Sequence, residues 1–334
     1  MTVLARFLVY NLLASLAAGL LAWLVVMAAV RLLGLRSSAL SFCFFGLPVL
    51  KSLLILLGVG LFLPWPGWVF EKWHALALPF QSIWPWLLIW TLGVYLVYRL
   101  VVWQARQAVL KEARPAPVAS PRVAAVFELV RQAYRQTPCP QCSDDLCCVR
   151  APGAPEPRLL ISERLNSPLA LTEGGAPAIL FPAGLAPLLN DAELAGALAH
   201  ERAHFILRRP NWCSASTLQT LTLIDPVAGL AGEYLHRQEE KACDELAVSV
   251  TGQPELYAGM LTKSYRFARQ QAGRAAVSRL NVLPRLLGFK PLLSERVEHL
   301  LAPASSAAGW RQSRVTIWLV WAALVAVLFF NGLH

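Results

Sequence analysis

Ala199-His200-Glu201-Arg202-Ala203-His204 contains a His-Glu-x-x-His motif, and the predicted fold is arranged around it. On a helix, residues i and i+4 share one face, so His200 and His204 can bind a single metal ion. Glu201 would then lie beside that ion and could accept a proton from an attacking water. The motif is short and also occurs by chance, so a third ligand downstream has to decide between the two interpretations.

The residues before the motif favour a helix around it. Asn190 with Glu193 three residues later has the spacing of a capping box, and alanines and leucines follow. Pro210 indicates where the helix has ended. The sequence therefore predicts that the motif lies within a helix, buried on one side.

A second long helix is predicted from Asp225-Pro226 to about Val250, with Gly252 beyond its end. Glu240 and Asp244 share one face of it. Glu240 would be the third metal ligand, and Asp244 could accept a hydrogen bond from the ring N–H of a ligand histidine. A solvent-exposed charged helix face is the alternative.

Two further residues of this second helix are candidate donors for an oxyanion. His236 and Arg237 precede Glu240 by one turn or less, and either could donate a hydrogen bond to the negative charge that develops during peptide hydrolysis. Arg237 could instead form an ion pair with Glu233 or Glu240.

Two short strands and a cysteine cluster are predicted before the motif. The strands are residues 158–163 and 177–182, with a turn at Gly174-Gly175. The edge of the second strand could bind an extended peptide, or that strand could be an ordinary core strand. Four cysteines lie within ten residues and could bind a second metal, cycle between thiol and disulfide, or remain reduced in an inserted loop. They are Cys139, Cys142, Cys147 and Cys148.

The composition indicates a membrane protein, because 56% of the residues are hydrophobic and only 15% are charged. Four uncharged or nearly uncharged runs are expected to be transmembrane helices. Lys51 interrupts the second run. It could be a functional residue within the span, but we favour a side chain that extends toward the cytoplasmic end of its helix. The four runs are about 7–30, 39–63, 83–103 and 315–333.

The charge distribution predicts the orientation. Residues 1–103 contain six Lys/Arg and one acid, whereas 104–314 contain 24 Lys/Arg and 19 Asp/Glu. Basic residues follow spans one and three and precede span four, which places those ends in the cytoplasm and both termini outside. A basic, proline-containing linker (104–121) would lead into a cytoplasmic domain (122–310) with the Cys-rich insert 139–148. The net charge of +10 fits this basic flank better than direct nucleic-acid binding.

Several segments together resemble the membrane-bound zinc peptidases of the beta-lactam sensor-transducer (BlaR/MecR) family. The resemblance covers essentially the whole chain and includes the order of three spans, a zinc domain and a fourth span. The best-known members carry an extracellular penicillin-binding domain after that span, which the 334 residues do not include. The matching segments are Leu159 to Pro168, Ile179 to Leu185, Glu193 to His204, Arg237-x-x-Glu240-x-x-x-Asp244-Glu245, Tyr257-Ala258 and Glu295-Arg296.

The resemblance implies a four-span α-helical membrane protein with a mostly α, α+β zinc metallopeptidase domain of the gluzincin type between spans three and four. One Zn²⁺ per chain would be held by His200, His204 and Glu240, with Glu201 as general base. It further implies a multi-pass protein of the bacterial cytoplasmic membrane, in contact with lipid, that cleaves itself or a regulatory protein such as a repressor encoded nearby. A homodimer is compatible with this organisation.

Two alternative functions remain open at this point. A quality-control or processing protease, like the heat-shock and prenyl-protein membrane metallopeptidases, would share the His-Glu-x-x-His and Glu-x-x-x-Asp elements. A non-proteolytic signal transducer or scaffold would hold the zinc as a structural ion. Loss of Glu201 would distinguish either kind of protease from the scaffold, because only a protease depends on a general base.

Overall fold

A computed structural model describes residues 3–33, 38–56, 107–136, 156–173, 176–207, 226–272, 292–301 and 314–329, together with single positions between 93 and 104. The chain divides into two compact units. Unit 1 contains Met1–Val101, Arg209–Gln238 and Ser306–His334, and unit 2 contains Val102–Arg208 and Glu239–Ser305. The linker 104–121, the continuous cytoplasmic domain 122–310 and the insert 139–148 stay predictions.

Unit 1 is built from apolar helices. They are α1 (Val3–Leu33), α2 (Ser38–Leu56), the first half of α6 (Pro226–Thr251) and α9 (Arg314–Phe329). Its core includes Ala22, Val26 and Val30, which follow one another at the i,i+4 spacing of a single helix face. Periodic burial of this kind shows that α1 packs against protein on one side.

Lys51 lies inside unit 1. Its side chain is buried, and its ammonium donates a 2.8 Å hydrogen bond to the backbone carbonyl of Leu328, in the last turn of α9. The expectation that Lys51 extends toward the cytoplasmic end of α2 is therefore wrong. A carbonyl at a helix C-terminus has no partner within its own helix, so the lysine satisfies one of these groups.

The prediction of four transmembrane helices is wrong for the part of the chain that the structure describes. One helix there is long and apolar enough to cross a bilayer, the 19-residue segment Ser15–Leu33 of α1. The apolar helical segments Cys43–Ser52 and Thr316–Leu328 are shorter. At 1.5 Å per residue, the 16 residues of α9 measure about 24 Å, less than the ~30 Å hydrocarbon core. The expected span 83–103 falls almost entirely outside the described residues.

Unit 2 contains a four-stranded mixed sheet. The strands β1 (Arg114–Pro115), β2 (Arg158–Ser162), β3 (Leu169–Glu173) and β4 (Ala176–Pro182) stand in the order β1-β2-β4-β3. β2 and β4 are parallel, and the other two pairs are antiparallel. Unit 2 also contains seven described helical segments, of which Asp191–Ile206 contacts strands β3 and β4. The segments are α3 (Ala116–Ala119), α4 (Pro121–Gln136), a 3₁₀ turn (Ala186–Leu188), α5 (Asp191–Ile206), the second half of α6, α7 (Pro254–Ala272) and α8 (Leu292–Leu301).

Both predicted strands before the motif are confirmed, as β2 and β4, and two further strands, β1 and β3, were not predicted. β4 lies between β2 and β3 and is buried from Pro177 to Pro182, so it is a core strand with no free edge. β3 stands at the end of the sheet instead, and among the described strands it pairs only with β4. The predicted turn at Gly174-Gly175 lies outside the described residues.

The predicted boundaries of the motif helix and of the helix after it are confirmed. The Asn190 side chain accepts a hydrogen bond from the Glu193 backbone N–H, and the Glu193 carboxylate accepts one from the Asn190 N–H, which completes the capping box of α5. α6 ends at Thr251. Gly252 follows with a φ of +69°, a left-handed conformation that glycine adopts at little cost.

Candidate metal centre

Three side chains from two helices of unit 2 converge on one point. α5 presents His200 and His204 one turn apart, with ring centroids 4.9 Å from each other. α6 supplies Glu240, whose Oε2 lies 3.3 Å from His200 Nε2 and whose Oε1 lies 3.7 Å from His204 Nε2. The ligand atoms of the three residues all lie within 4.8 Å of one another. This cluster could hold a metal ion.

The donor set and its spacing fit zinc. Zn–N and Zn–O bonds of 2.0–2.1 Å in a tetrahedron place ligand atoms about 3.3 Å apart. The His200 Nε2–Glu240 Oε2 separation of 3.3 Å matches that value, and the ligand atoms of all three residues lie within 4.8 Å of one another. Two imidazoles and a carboxylate are also the protein ligands of several catalytic zinc sites, which keep a fourth position for water or substrate.

The other ring nitrogen of His200 faces Asp244 and Tyr257. Nδ1 lies 3.0 Å from Asp244 Oδ1 and 2.9 Å from the Tyr257 hydroxyl, which itself donates a 2.8 Å hydrogen bond to Asp244 Oδ1. An acceptor at Nδ1 favours the tautomer that carries its proton there and leaves Nε2 free to bind a metal. The structure thus places Asp244 where it can orient His200.

The guanidinium of Arg296, on α8, joins Asp244 to Glu240. Nε donates a 2.7 Å hydrogen bond to Asp244 Oδ2, Nη2 donates to Oδ1 of the same carboxylate, and Nη1 lies 2.7 Å from Glu240 Oε2. The first two contacts form the two-pronged pairing typical of arginine with a carboxylate. One buried cation therefore holds two carboxylates that face the same histidine.

The charges of these groups are strongly coupled. Burial would lower the pKa of His200, but hydrogen bonds to Asp244 and Glu240 raise it to about 10. Burial would likewise raise the pKa of Glu240, yet His200 and Arg296 hold it well below its usual range. Asp244 behaves in the same way, because His200 and Arg296 outweigh burial and lower its pKa. A metal ion at Nε2 would replace a proton of His200, since metal ligands must be deprotonated.

Glu201 follows His200 in the chain and is also buried. Burial raises its pKa to about 7, against the opposing effect of the positive charge on His200. Its carboxylate accepts a hydrogen bond from the backbone N–H of Ala170, in β3. A carboxylate with a pKa near neutrality is suited to both accepting and returning a proton.

His204 has a different partner at its second nitrogen. Cys243 Sγ lies 3.3 Å from His204 Nδ1. The thiol is buried, and burial raises its pKa above the usual value. It therefore stays protonated and can be either a weak donor or a weak acceptor to the ring nitrogen. Each histidine of the cluster is therefore held from its outer side by a residue of α6.

The structure does not test the remaining predicted site residues. His236 and Arg237 belong to the part of α6 in unit 1, where the Arg237 guanidinium pairs with Glu233 at 2.8 Å, one of the two ion pairs that were expected. Their role as oxyanion donors stays a prediction. The four cysteines expected to bind metal or cycle redox, Cys139, Cys142, Cys147 and Cys148, fall outside the described residues.

Three residues of this centre had no predicted role: Cys243, Tyr257 and Arg296. Their contacts depend on tertiary structure, because Arg296 is 52 residues from Asp244 and Tyr257 is 13 residues from it. Helical spacing therefore gives no signal for either. The resemblance marked Tyr257-Ala258 and Glu295-Arg296 as similar positions, which was the only available indication.

Comparison with known proteins adds no further assignment: no family model, no curated protein and no solved structure matches this chain.

Proposed function

We propose that this chain is a zinc-dependent endopeptidase. One observation carries the proposal: the ligand atoms of His200, His204 and Glu240 lie within 4.8 Å of one another, with buried Glu201 next to the first histidine. The combination supplies a three-ligand metal site and a general base in one place. A purely structural zinc site is normally closed by four protein ligands.

The chemistry follows from the positions of these side chains. Zinc bound here would lower the pKa of a water and polarise the scissile carbonyl. Glu201 takes the proton from the attacking water and delivers it to the leaving amine nitrogen, so that the C–N bond breaks and no proton is lost. Asp244 and Tyr257 hold the His200 ring from its outer side throughout the reaction.

The free edge of β3 is the proposed binding site for the peptide substrate. β3 stands at the end of the sheet among the described strands, and its Ala170 N–H contacts the Glu201 carboxylate. A peptide added as a further strand would gain backbone hydrogen bonds and would lie beside the general base. From the sequence this role was one of two alternatives for β4, whose two edges are both occupied.

Regulatory cleavage near a membrane is the biological setting that the sequence favours. The Ser15–Leu33 segment can anchor the chain in a bilayer by length and composition. Arg31 and Arg36 at its end favour the cytoplasmic side for the following residues. The resemblance to sensor-transducer peptidases suggests self-cleavage or cleavage of a regulatory protein, such as a repressor.

Glu201→Gln tests the proposal in the full-length chain. Metal content is measured by mass spectrometry, and hydrolysis is followed on labelled casein and as self-cleavage. We expect about one zinc per chain in both proteins and a fall in kcat of at least about 100-fold in the variant. Glu255→Gln, an exposed glutamate at the start of α7, is the matched control and keeps wild-type activity.

Two outcomes would contradict the proposal. Wild type that binds zinc but cleaves neither casein nor itself would support a structural zinc site. Wild type that binds no zinc would remove the basis for assigning His200, His204 and Glu240.

A further inference from the structure

Arg296 lies where it can control the metal ligands without being one of them. Its guanidinium reaches Glu240 Oε2 through Nη1 and both oxygens of Asp244 through Nε and Nη2. The Arg296 side chain is only 12% exposed, and that of Asp244 is fully buried. These contacts are therefore shielded from water and from salt.

Three carboxylates are buried in this small volume, those of Glu201, Glu240 and Asp244. Burying a carboxylate is costly unless a cation or several donors accompany it. An arginine stays charged under all relevant conditions, so it supplies a permanent positive charge here.

We propose that Arg296 is a positioning residue that fixes the Glu240 carboxylate for metal binding and keeps the ligand cluster assembled when the metal is absent. This inference rests on the metal site of the proposed function. It assigns no bond-making or bond-breaking role to Arg296.

The geometry favours orientation over simple charge balance. Nη1 holds Oε2 of Glu240, the oxygen that lies 3.3 Å from His200 Nε2, while Oε1 faces His204 at 3.7 Å. The carboxylate is thereby fixed in rotation, with its two oxygens directed at the two histidines. A lysine in this position could supply the charge but could not contact both carboxylates in the same fixed plane.

α8 brings Arg296 to the site from outside the two ligand helices. Two other side chains of α8 also contact α6, as Glu295 pairs with Lys241 and His299 pairs with Glu245. Leu293, Val297 and Leu300 pack against the core of unit 2. The position of Arg296 is therefore set by the docking of α8, and a variant of a neighbouring ion pair can serve as a control for docking alone.

Arg296→Met and Arg296→Lys, each in the full-length chain, test the inference. Zinc affinity is measured by competition with a chromophoric chelator, and Tm is measured with and without zinc. We expect zinc affinity to fall about 10- to 100-fold in Arg296→Met, the usual effect of losing a residue that orients a metal ligand. Its metal-free Tm should fall, because buried carboxylates lose their cation, and its Tm at a fixed zinc concentration should fall further, because weaker binding leaves less stabilisation by zinc.

The lysine variant separates charge from geometry. If the planar, two-pronged geometry of the guanidinium positions Glu240, the metal-free Tm of Arg296→Lys should lie between those of Arg296→Met and wild type. Its zinc affinity should still be lower than that of wild type. Lys241→Met is the matched control, because it removes an ion pair between α8 and α6 without touching the ligand cluster. We expect this control to keep zinc affinity within about twofold of wild type, as for other residues outside the ligand shells.

Zinc affinity that is unchanged or higher in both variants would overturn the inference, because Arg296 would then not help to position Glu240 for the metal ion. If Arg296→Met fails to fold, unchanged affinity in Arg296→Lys alone overturns it. A different result would contradict the proposed peptidase activity. Wild type that binds zinc but hydrolyses neither casein nor itself would contradict that activity without contradicting the role of Arg296.

Discussion

Tyr257 shows how much of the site depends on single buried polar atoms. Its hydroxyl donates to Asp244 Oδ1 and lies 2.9 Å from His200 Nδ1, and its side chain is almost fully buried. Burial raises the pKa of this phenol well above its usual value, so the hydroxyl is a neutral donor. The ring packs against Gly196 of α5, where an added Cβ would come within 3.1 Å of it.

Tyr257→Phe should therefore destabilise the protein and loosen the zinc site. A hydrogen bond to a charged group contributes about 1.5–3 kcal/mol, and we expect a loss of that size in the free energy of unfolding. Denaturant unfolding at a fixed zinc concentration measures it. Tyr265→Phe removes a hydroxyl from an exposed ring on the same helix and should change stability by less than about 0.5 kcal/mol. Equal effects of the two substitutions would contradict the assigned role of the buried hydroxyl.

The sequence could predict residues whose partners lie one helical turn away. His200 with His204, and Glu240 with Asp244, follow from the i,i+4 rule alone. It could not predict Arg296 or Tyr257, since their contacts arise when α8 and α7 dock. It could also not predict that Lys51 is buried, because its acceptor, Leu328, lies 277 residues away.

The motif helix depends on a local device at its N-terminus, the capping box of Asn190 and Glu193. Arg122 stabilises the same turn by donating to Asp191 and to the carbonyls of Ala186 and Leu189. The Asn190 side chain satisfies a backbone N–H at the start of α5 that has no partner within the helix, whereas Arg122 satisfies two carbonyls of the preceding turn. They also fix the direction in which α5 enters the site.

Asn190→Ala should reduce the free energy of unfolding by about 1 kcal/mol, the usual effect of losing an N-cap side chain. Urea unfolding monitored by circular dichroism measures this loss. Asn190→Asp keeps an acceptor at the cap and should remain close to wild type. If alanine and aspartate behave alike, the cap does not stabilise α5.

Helices and strands were predicted correctly where the signal lies in the local sequence, and a strand was missed where pairing with another strand creates it. α5, α6, β2 and β4 were predicted from caps, apolar runs and proline or glycine punctuation. β3 was missed, because Leu169–Glu173 contains only one strongly strand-favouring residue, Thr172. Its pairing with β4 makes it a strand, and that pairing leaves β3 at the edge of the sheet.

The hydrophobic runs predicted four spans, but a span needs a helix that is long as well as apolar, and composition alone does not determine helix length. Only Ser15–Leu33 of the described helices combines both properties. Buried core helices and signal sequences can meet the same criterion. Large apolar side chains of α1 and α9 are exposed, including Leu21 at 64%, Leu24 at 58% and Leu319 at 65%.

Uncovered apolar surface of this kind is typical of contact with lipid or with another protein. If α1 lies in a bilayer, the full-length chain should stay in the membrane pellet after high salt and alkaline carbonate, and only detergent should release it. Leu21→Lys with Leu24→Lys, near the centre of Ser15–Leu33, should shift the chain to the soluble fraction or to aggregates. Each lysine costs about 2.5–3.5 kcal/mol at the middle of a spanning helix.

Val118→Lys provides the control, because Val118 is an exposed apolar residue of unit 2 and its change should leave membrane association intact. Carbonate extraction of the wild type would show that α1 does not anchor the chain and would assign it to the core of unit 1. A mature protein that begins after Leu33 would identify α1 as a signal sequence. The two results differ in the mass of the recovered chain, so one fractionation followed by intact-mass measurement decides among anchor, core helix and signal.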